Sequence, residues 1–450
     1  MADFTEAPVI RCDEPGSFAR SVLAERHPAL IERVRAAFPY GPAQHRALDA
    51  LQEETAHGVI ALPPPGDDRD REQWQTWGKG LLGRPWFDAP FLWAESYFYR
   101  RLLGAVGYFE AGPWQGVDPF GPFKRAELDT VETEQELAAL EQLAAQPEEE
   151  QVQALLLGSL WGNRADLGFR MGAGTPGAGT DEALVVDDSA ALWALLAPGA
   201  QSSGAPGWQR DVTRARRRSS DRPRRTVCLV ADNAGRELLP DLLLVDHLLR
   251  HGRADRVVLH VKSYPYFVSD ATTTDVVDCL RHLTEAGGAA GAAGRRLWDD
   301  MASGQVEVRA HPFSCAPLPY EDMPDDLRQD FAEARLTVMK GDLNYRRLVG
   351  DRQWPATTPF ADRTAYFPGP VAALRTLKSD VLVGLAEGAE PKLAAEQGER
   401  WRTAGTHALI QLAMRPADAV RPADAVRSAD AVRSAGAVRS AGAVRPADPV

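Results

Sequence analysis

An aspartate and an asparagine stand side by side at the point where a buried strand should end. The apolar run over residues 227–231 stops at Asp232 and Asn233, and a leucine-rich pattern follows over 238–249. This order predicts a strand, a tight turn and a helix, which together form half of a parallel-sheet unit. Two hard oxygen donors in such a turn suit Mg²⁺ or Mn²⁺ better than zinc. Asp and Asn are also common helix N-caps, and this segment alone leaves both interpretations open.

Polar side chains follow further apolar runs in the same manner. Residues 256–262 predict a second strand, and Asp270 follows it. The polar residues after a third strand, predicted over 336–340, are Asp342, Asn344 and Arg346. A fourth apolar run, 381–385, comes just after Lys378 and is a candidate fourth strand. Because ligands of open α/β sheets bind at the carboxyl ends of the strands, these side chains predict one common site.

Four motifs join these residues, and they occur in the order of one known family. The motifs are Asp-Asn-x-Gly-x-Glu from Asp232 to Glu237, Lys-x-x-Pro-x-Phe-Val-Ser-Asp ending at Asp270, Gly-Asp-Leu-Asn-Tyr-Arg ending at Arg346, and Arg-Thr-Leu-Lys ending at Lys378. With two N-terminal segments, 86–101 and 160–167, they resemble the metal-dependent damage-control phosphatases, the DUF89 group. The resemblance is to the branch that contains the human acidic-residue methyltransferase homologue, and it spans roughly residues 20–410.

The resemblance implies hydrolysis of phosphate monoesters, with sugar phosphates such as fructose 1-phosphate or fructose 6-phosphate as substrates. It implies that the residues that bind a divalent metal (Mn²⁺, Mg²⁺, Co²⁺ or Ni²⁺) and act in catalysis are Asp232, Asn233 and Asp270. The implied substrate-binding residues are Glu237, Asp342, Leu343, Asn344, Tyr345, Arg346 and Lys378. Among these, Arg346 and Lys378 would hold phosphate oxygens, the arginine as a planar fork and the lysine as a point charge. Whether Asp232 attacks phosphorus or only holds the metal stays open.

Two alternative functions come from other classes. The same branch is credited with methyl transfer from S-adenosylmethionine to protein carboxylates, which the fold class does not exclude. The glycine-rich stretch 172–177 matches GxGxxG, but it contains a proline and no strand precedes it, which disfavours nucleotide binding there. A catalytically inactive binding protein is disfavoured because each metal and phosphate position of the motifs holds a suitable residue.

Two histidines could form a metal pair elsewhere in the sequence. His247 and His251 stand four residues apart on the helix predicted after Asp232. They lack the glutamate of an HExxH arrangement and lie far from the strand end. We therefore interpret them as ordinary helix residues.

Composition divides the chain into four parts. Residues 15–200 predict a mainly helical N-terminal domain, and 201–225 form an arginine-rich connector that is best interpreted as an exposed linker. Residues 226–414 predict an α/β metal-binding catalytic domain, and the hexapeptide repeats of 415–450 predict a disordered tail. The predicted fold class is therefore α/β, with a helical N-terminal domain followed by a doubly wound, mostly parallel α/β/α sheet domain.

Net charge limits the classes of partner that this protein is expected to bind, and cysteine usage indicates its cellular compartment. A net charge of -12 argues against nucleic-acid and anionic-membrane partners and leaves a small-molecule phosphate ester as the expected one. The four cysteines lie far apart and form no CxxC pair, which is typical of reduced thiols in a cytoplasmic protein. The sequence also shows no signal-peptide pattern and no 18-residue apolar run.

Overall fold

The computed structural model describes residues 7–63, 70–162, 184–198 and 225–415. The motif residues 163–167, the glycine-rich stretch 172–177, most of the connector and the repeat tail lie outside the described residues. Among the described helices, none is long and apolar enough to span a bilayer.

The N-terminal part is built from helices, and the first five of them surround an aromatic core. Its helices are α1 (Phe18–Ser21), α2 (His27–Ala37), α3 (Pro42–His57), α4 (Arg71–Trp77), α5 (Phe91–Val106), α6 (Gly121–Leu128), α7 (Val131–Ala144) and α8 (Glu148–Trp161). Helices α7 and α8 pack instead into a leucine-rich core that they share with the sheet. Helix α5 is buried on nearly all sides, because Trp74, Trp86 and other large rings surround Tyr97 on it. The rings of Trp86 and Tyr97 stack with centroids 5.6 Å apart. Burial of such rings stabilises this part of the molecule.

A seven-stranded sheet forms the second part. The strands are β1 (Leu184–Asp187), β2 (Thr226–Val230), β3 (Arg256–His260), β4 (Val306–Arg309), β5 (Leu336–Lys340), β6 (Val371–Thr376) and β7 (Ala408–Ala413). Their order in the sheet is β1-β7-β6-β5-β2-β3-β4, and all neighbours are parallel except β6 and β7. Strand β1 comes from the range predicted to be mainly helical and pairs with β7 at one edge.

Helices cover both faces of this sheet. They are α9 (Ser189–Leu195), α10 (Leu238–Arg250), α11 (Thr273–Glu285), α12 (Gly288–Ser303), α13 (Asp325–Glu333), α14 (Gly341–Val349), α15 (Phe360–Arg363) and α16 (Ala389–Gln397). Side chains alternate along β2, so Val227 and Leu229 join the core that contains the leucines of α10. Cys228 and Val230 join the opposite core, which contains Phe331 of α13. The predicted doubly wound, mostly parallel α/β/α class is confirmed.

The strands that carry the motifs agree with the sequence pattern in three cases out of four. β2, β3 and β5 lie where the apolar runs place them, although β3 ends two residues earlier than predicted. The fourth apolar run, 381–385, is not a strand but buried chain without regular structure. The fourth strand is β6, which lies earlier in the chain. The buried Arg375 interrupts its apolar run, so the sequence pattern does not predict it.

The connections between strands create a crevice at one place. From β2 the chain moves outward to β3 and then β4, and it returns to β5 on the other side of β2. The carboxyl ends of β2 and β5 therefore lie side by side where the strand order reverses. Ligands of doubly wound folds bind at such a reversal.

Candidate active site

Asp232 and Asn233 lie directly after β2 and neither caps a helix. The N-cap position of the 3-10 turn Gly235–Glu237 is Ala234, and no side chain caps it. Asp232 is buried, and the Asn233 Nδ2 donates to Glu237 Oε2 at 2.8 Å and lies 3.3 Å from Asp232 Oδ2. The helix-cap alternative is therefore excluded, and the three polar side chains form one connected group.

Backbone pairing holds Asp270 against this group. The Ala271 N–H donates to the Asp232 carbonyl at 2.8 Å, and the Ala234 N–H donates to the Ser269 carbonyl at 2.7 Å. The Ser269 Oγ donates to Asn233 Oδ1 at 2.6 Å, which fixes the side-chain amide. Asp270 is buried beside Lys262, whose Nζ lies 3.3 Å from Asp270 Oδ2. The two predicted strand ends thus meet as the sequence suggested.

The turn that leads to Asp270 has an unusual backbone. Phe267 and Val268 adopt φ values of 46° and 66°, a region that L-residues rarely occupy and β-branched ones least of all. Such a conformation persists only where the surroundings enforce it. The ring of Phe267 stacks on Tyr99 of α5, with centroids 4.8 Å apart, so the helical part helps to hold the turn.

A glycine brings β5 against Asp232. Gly341 has a φ of +80°, and a Cβ atom built on it would overlap the Asp232 carboxylate. Only glycine permits this approach. It places the start of α14, which carries partial positive charge, next to that carboxylate.

The substrate-binding residues predicted from the motifs fall into two groups. Glu237, Asp342 and Lys378 lie at the crevice: Asp342 Oδ1 accepts from Arg375 Nε at 2.8 Å and from Ser379 Oγ at 3.0 Å. Lys378 is exposed, and its charge acts on Asp232.

The other predicted residues are buried and engaged with the protein. The Asn344 Nδ2 donates to the carbonyls of Ala231 and Lys340, which ties α14 to the ends of β2 and β5. Leu343 packs in the aromatic core, and the Tyr345 hydroxyl lies 3.0 Å from Gln411 Oε1.

Arg346 is held between two carboxylates. It is 3% exposed, its Nε and Nη2 donate to Asp351, and its Nη1 donates to Glu95 of α5 at 2.7 Å. The arrangement joins α14 to the helical part. Binding of phosphate by Arg346 stays a prediction.

The site carries more buried negative charge than its lysines offset. Burial, followed by the charges of Glu237 and Asp270, raises the pKa of Asp232 well above its ordinary value, while Lys378 and Lys262 oppose the rise. Burial likewise raises the pKa of Asp270, and the charge of Lys262 beside its Oδ2 opposes the rise. Buried oxygen ligands that repel one another are the setting in which a divalent cation is stabilised. The residues present therefore fit a divalent metal.

Three charged residues at the site were missed from the sequence. Lys262 is the first residue of the second motif, and this position was the sequence feature that could have identified it as a site residue. Lys124 of α6 is 3% exposed and donates to the Asp270 carbonyl at 2.9 Å and to Asp275 Oδ2 at 3.0 Å. Glu127, one turn later, interacts electrostatically with Glu237 and Lys378. Lys124 and Glu127 come from the helical N-terminal part, and no local sequence pattern marks them as site residues.

Comparison with known proteins identifies the family. A family model described as "Damage-control phosphatase ARMT1-like domain" matches residues 22–393. The chain belongs to this family. Curated relatives named "Damage-control phosphatase ARMT1" include the Danio rerio protein, 30% identical over 88% of this chain and 95% of its own length. The Mus musculus relative is 33% identical over 73% of this chain and 75% of its own length.

The family resemblance expected from the four motifs is thereby confirmed. A solved structure of a DUF89 family protein from Pyrococcus horikoshii also aligns, with a TM-score of 0.45, 13% identity, and coverage of 88% of this chain and 97% of that one. Membership makes this ARMT1-like protein a phosphatase that acts on phosphoric monoesters in a damage-control role, with a divalent metal requirement. Its substrate is a small-molecule phosphate.

Proposed function

We propose that this phosphatase hydrolyses sugar phosphates, such as fructose 1-phosphate or fructose 6-phosphate, in the crevice between β2 and β5. The observation that carries the proposal is the meeting of buried oxygen ligands from two strand ends with an exposed lysine from a third. The ligands would hold the metal, and the lysine would hold the phosphate. A cytoplasmic location and the lack of a nucleic-acid partner stay predictions.

Asp232, Asn233 and Asp270 would hold the ion, which we propose to be Mn²⁺, Mg²⁺, Co²⁺ or Ni²⁺. When bound, it would polarise a phosphoryl oxygen and lower the cost of the charge that moves during transfer. The hydrogen bond from Ser269 to Asn233 Oδ1 orients that amide, and Lys262 limits the repulsion on Asp270. Preorganised ligands of this kind cost little reorganisation when substrate binds.

The phosphate would lie between Lys378 and the positive end of α14, where charge and dipole both favour an anion. Glu237 and Asp342, at the same crevice, would accept hydrogen bonds from sugar hydroxyls. We propose that Arg346 holds α14 in place through its bonds to Asp351 and Glu95, and its direct contact with phosphate stays a prediction. The remaining predicted substrate-binding residues would act indirectly, by packing beneath the site and by fixing the strand ends that form it. They are Leu343, Asn344 and Tyr345.

The first test removes the metal. Chelator-stripped protein should lose hydrolysis of p-nitrophenyl phosphate and of the fructose phosphates, and Mn²⁺, Mg²⁺ or Co²⁺ should restore it. Asp270→Ala should prevent the restoration because it deletes a buried oxygen ligand, whereas the exposed Asp325→Ala should not. Full activity in excess EDTA would contradict the proposal, and so would methyl transfer from labelled S-adenosylmethionine without phosphatase activity.

The second test concerns the phosphate contact. Lys378→Ala should lower kcat/KM by roughly ten- to a hundredfold, which is the value of one charge-assisted contact, with most of the loss in KM. Metal affinity should hardly change. Lys392→Ala, which removes an exposed lysine from α16, is the matched control and should leave kinetics unchanged. If Lys378→Ala weakens metal binding while KM for the ester is unaltered, the assignment of Lys378 is wrong.

A further inference from the structure

A second group of metal-ligating side chains lies at the far end of α10. Glu148 is the first residue of α8, His247 lies in the last turn of α10, and His251 is its C-cap. One ligand atom from each falls within 4.8 Å of the others. His247 comes ten residues after Glu237 along the chain, so the rise of the helix places it about 15 Å from the crevice.

The two imidazole rings are arranged side by side. Residues four apart on a helix share one face, and here the rings stack with centroids 4.2 Å apart at 23°. The Nε2 atoms of both rings are buried and have no hydrogen-bond partner among the described residues. Since His247 is 4% exposed, its unpaired nitrogen is a costly feature that a ligand would relieve.

The protonation state of His247 suits metal binding. Burial, followed by the charges of His251 and Arg253, lowers the pKa of His247 to about 4, so the ring is neutral near pH 7. A neutral imidazole offers its lone pair to a metal.

Glu148 completes the group from the neighbouring helix. Its Oε1 accepts from the Arg253 Nη2 at 2.8 Å, and its Oε2 lies 3.5 Å from His251 Nδ1. Arg253 thus fixes the carboxylate while its second oxygen still faces the histidines. The glutamate side chain is 43% exposed, which gives an ion access from solvent. The carbonyl end of α10 favours a cation, and the charge of Arg253 partly opposes it.

We propose that Glu148, His247 and His251 bind a borderline transition metal such as Zn²⁺ or Ni²⁺, at a site separate from the oxygen-ligand site of the crevice. Two imidazoles and one carboxylate match the preferences of these ions and leave a fourth position for water. The ion would link the start of α8 to the end of α10. A protein loaded in this way should unfold at a higher temperature.

The test is a Zn²⁺ titration of the full chain in saturating Mg²⁺, which competes with Zn²⁺ for the crevice. We expect one Zn²⁺ per chain and a rise in Tm. With Co²⁺ as the probe, we expect the strong visible absorption of a nitrogen-ligated ion of low coordination number. His251→Gln at a half-buried position and Glu148→Gln at an exposed one should each weaken Zn²⁺ binding by about tenfold or more. Neither should change Mg²⁺-supported phosphatase turnover.

The control is His57→Gln, which removes an exposed histidine from α3 and should leave Zn²⁺ affinity unchanged. The proposal is overturned if wild-type protein binds no Zn²⁺ under these conditions. It is equally overturned if both cluster variants bind Zn²⁺ as tightly as wild type, or if only the histidine variant loses affinity.

Discussion

Asp232→Asn should reduce kcat by about a thousandfold, or ~4 kcal/mol of transition-state stabilisation, at saturating substrate and metal. Asparagine has the same shape and can keep the contact with Asn233, but it lacks the charge that would hold the ion or attack phosphorus. The loss should appear in kcat because a higher substrate concentration cannot replace a metal ligand.

The same substitution should not destabilise the metal-free protein. Burial and the neighbouring carboxylates raise the pKa of Asp232, so the folded state favours its neutral form and loses stability as pH rises through the raised pKa. Asparagine mimics that neutral form. We therefore expect Tm at neutral pH, measured in chelator, to stay level or rise. Asp325→Asn, at an exposed position, should change neither quantity. A variant that keeps kcat within tenfold of wild type would show that Asp232 is not essential.

Gly341→Ala should strongly reduce activity by a steric route. The new methyl group would occupy the position of the Asp232 carboxylate, so either that side chain or the start of α14 must move. A displacement of this size at a metal ligand is expected to cost about a hundredfold or more in kcat/KM. Metal affinity should fall with it.

Gly16→Ala separates this clash from the backbone cost. Gly16 has the same φ of +80°, but nothing lies within 4 Å of the Cβ that alanine would add. Both variants should lose about 1 kcal/mol of stability from the left-handed backbone, measured by denaturant unfolding. Only Gly341→Ala should lose turnover and metal binding. Equal activity in the two variants would show that the closeness of Gly341 to Asp232 has no catalytic importance.

The sequence predicted those parts of the site that depend on local pattern. An apolar run followed by polar residues marks the end of a buried strand, and for Asp232, Asn233 and Asp270 this sufficed to predict their meeting. The same pattern does not predict β6, because Arg375 interrupts the apolar run of that strand. This arginine can be buried because it bonds to Asp342.

Hydrogen bonds between residues far apart in the chain could not be predicted from the sequence. The motif containing Arg346 is recognisable, but its partner Glu95 is 251 residues away, and nothing in either segment specifies the other. Lys124 is similar, since its contact with the Asp270 carbonyl spans 146 residues. Hydrogen bonds of this kind are set by the packing of whole elements, which a local pattern does not encode.

The strained turn at Phe267 and Val268 makes the two parts of the chain dependent on each other. Tyr99 and Lys124 belong to helices made early in synthesis, and they hold a turn and a carbonyl that are made much later. Released from these contacts, the turn would relax to an ordinary backbone conformation and carry Asp270 away from Asp232. A sheet fragment alone would therefore be a poor metal binder, and the helices and strands would have to assemble cooperatively before the enzyme could be loaded. Metal uptake in this protein would thus report that the entire chain has reached its native state.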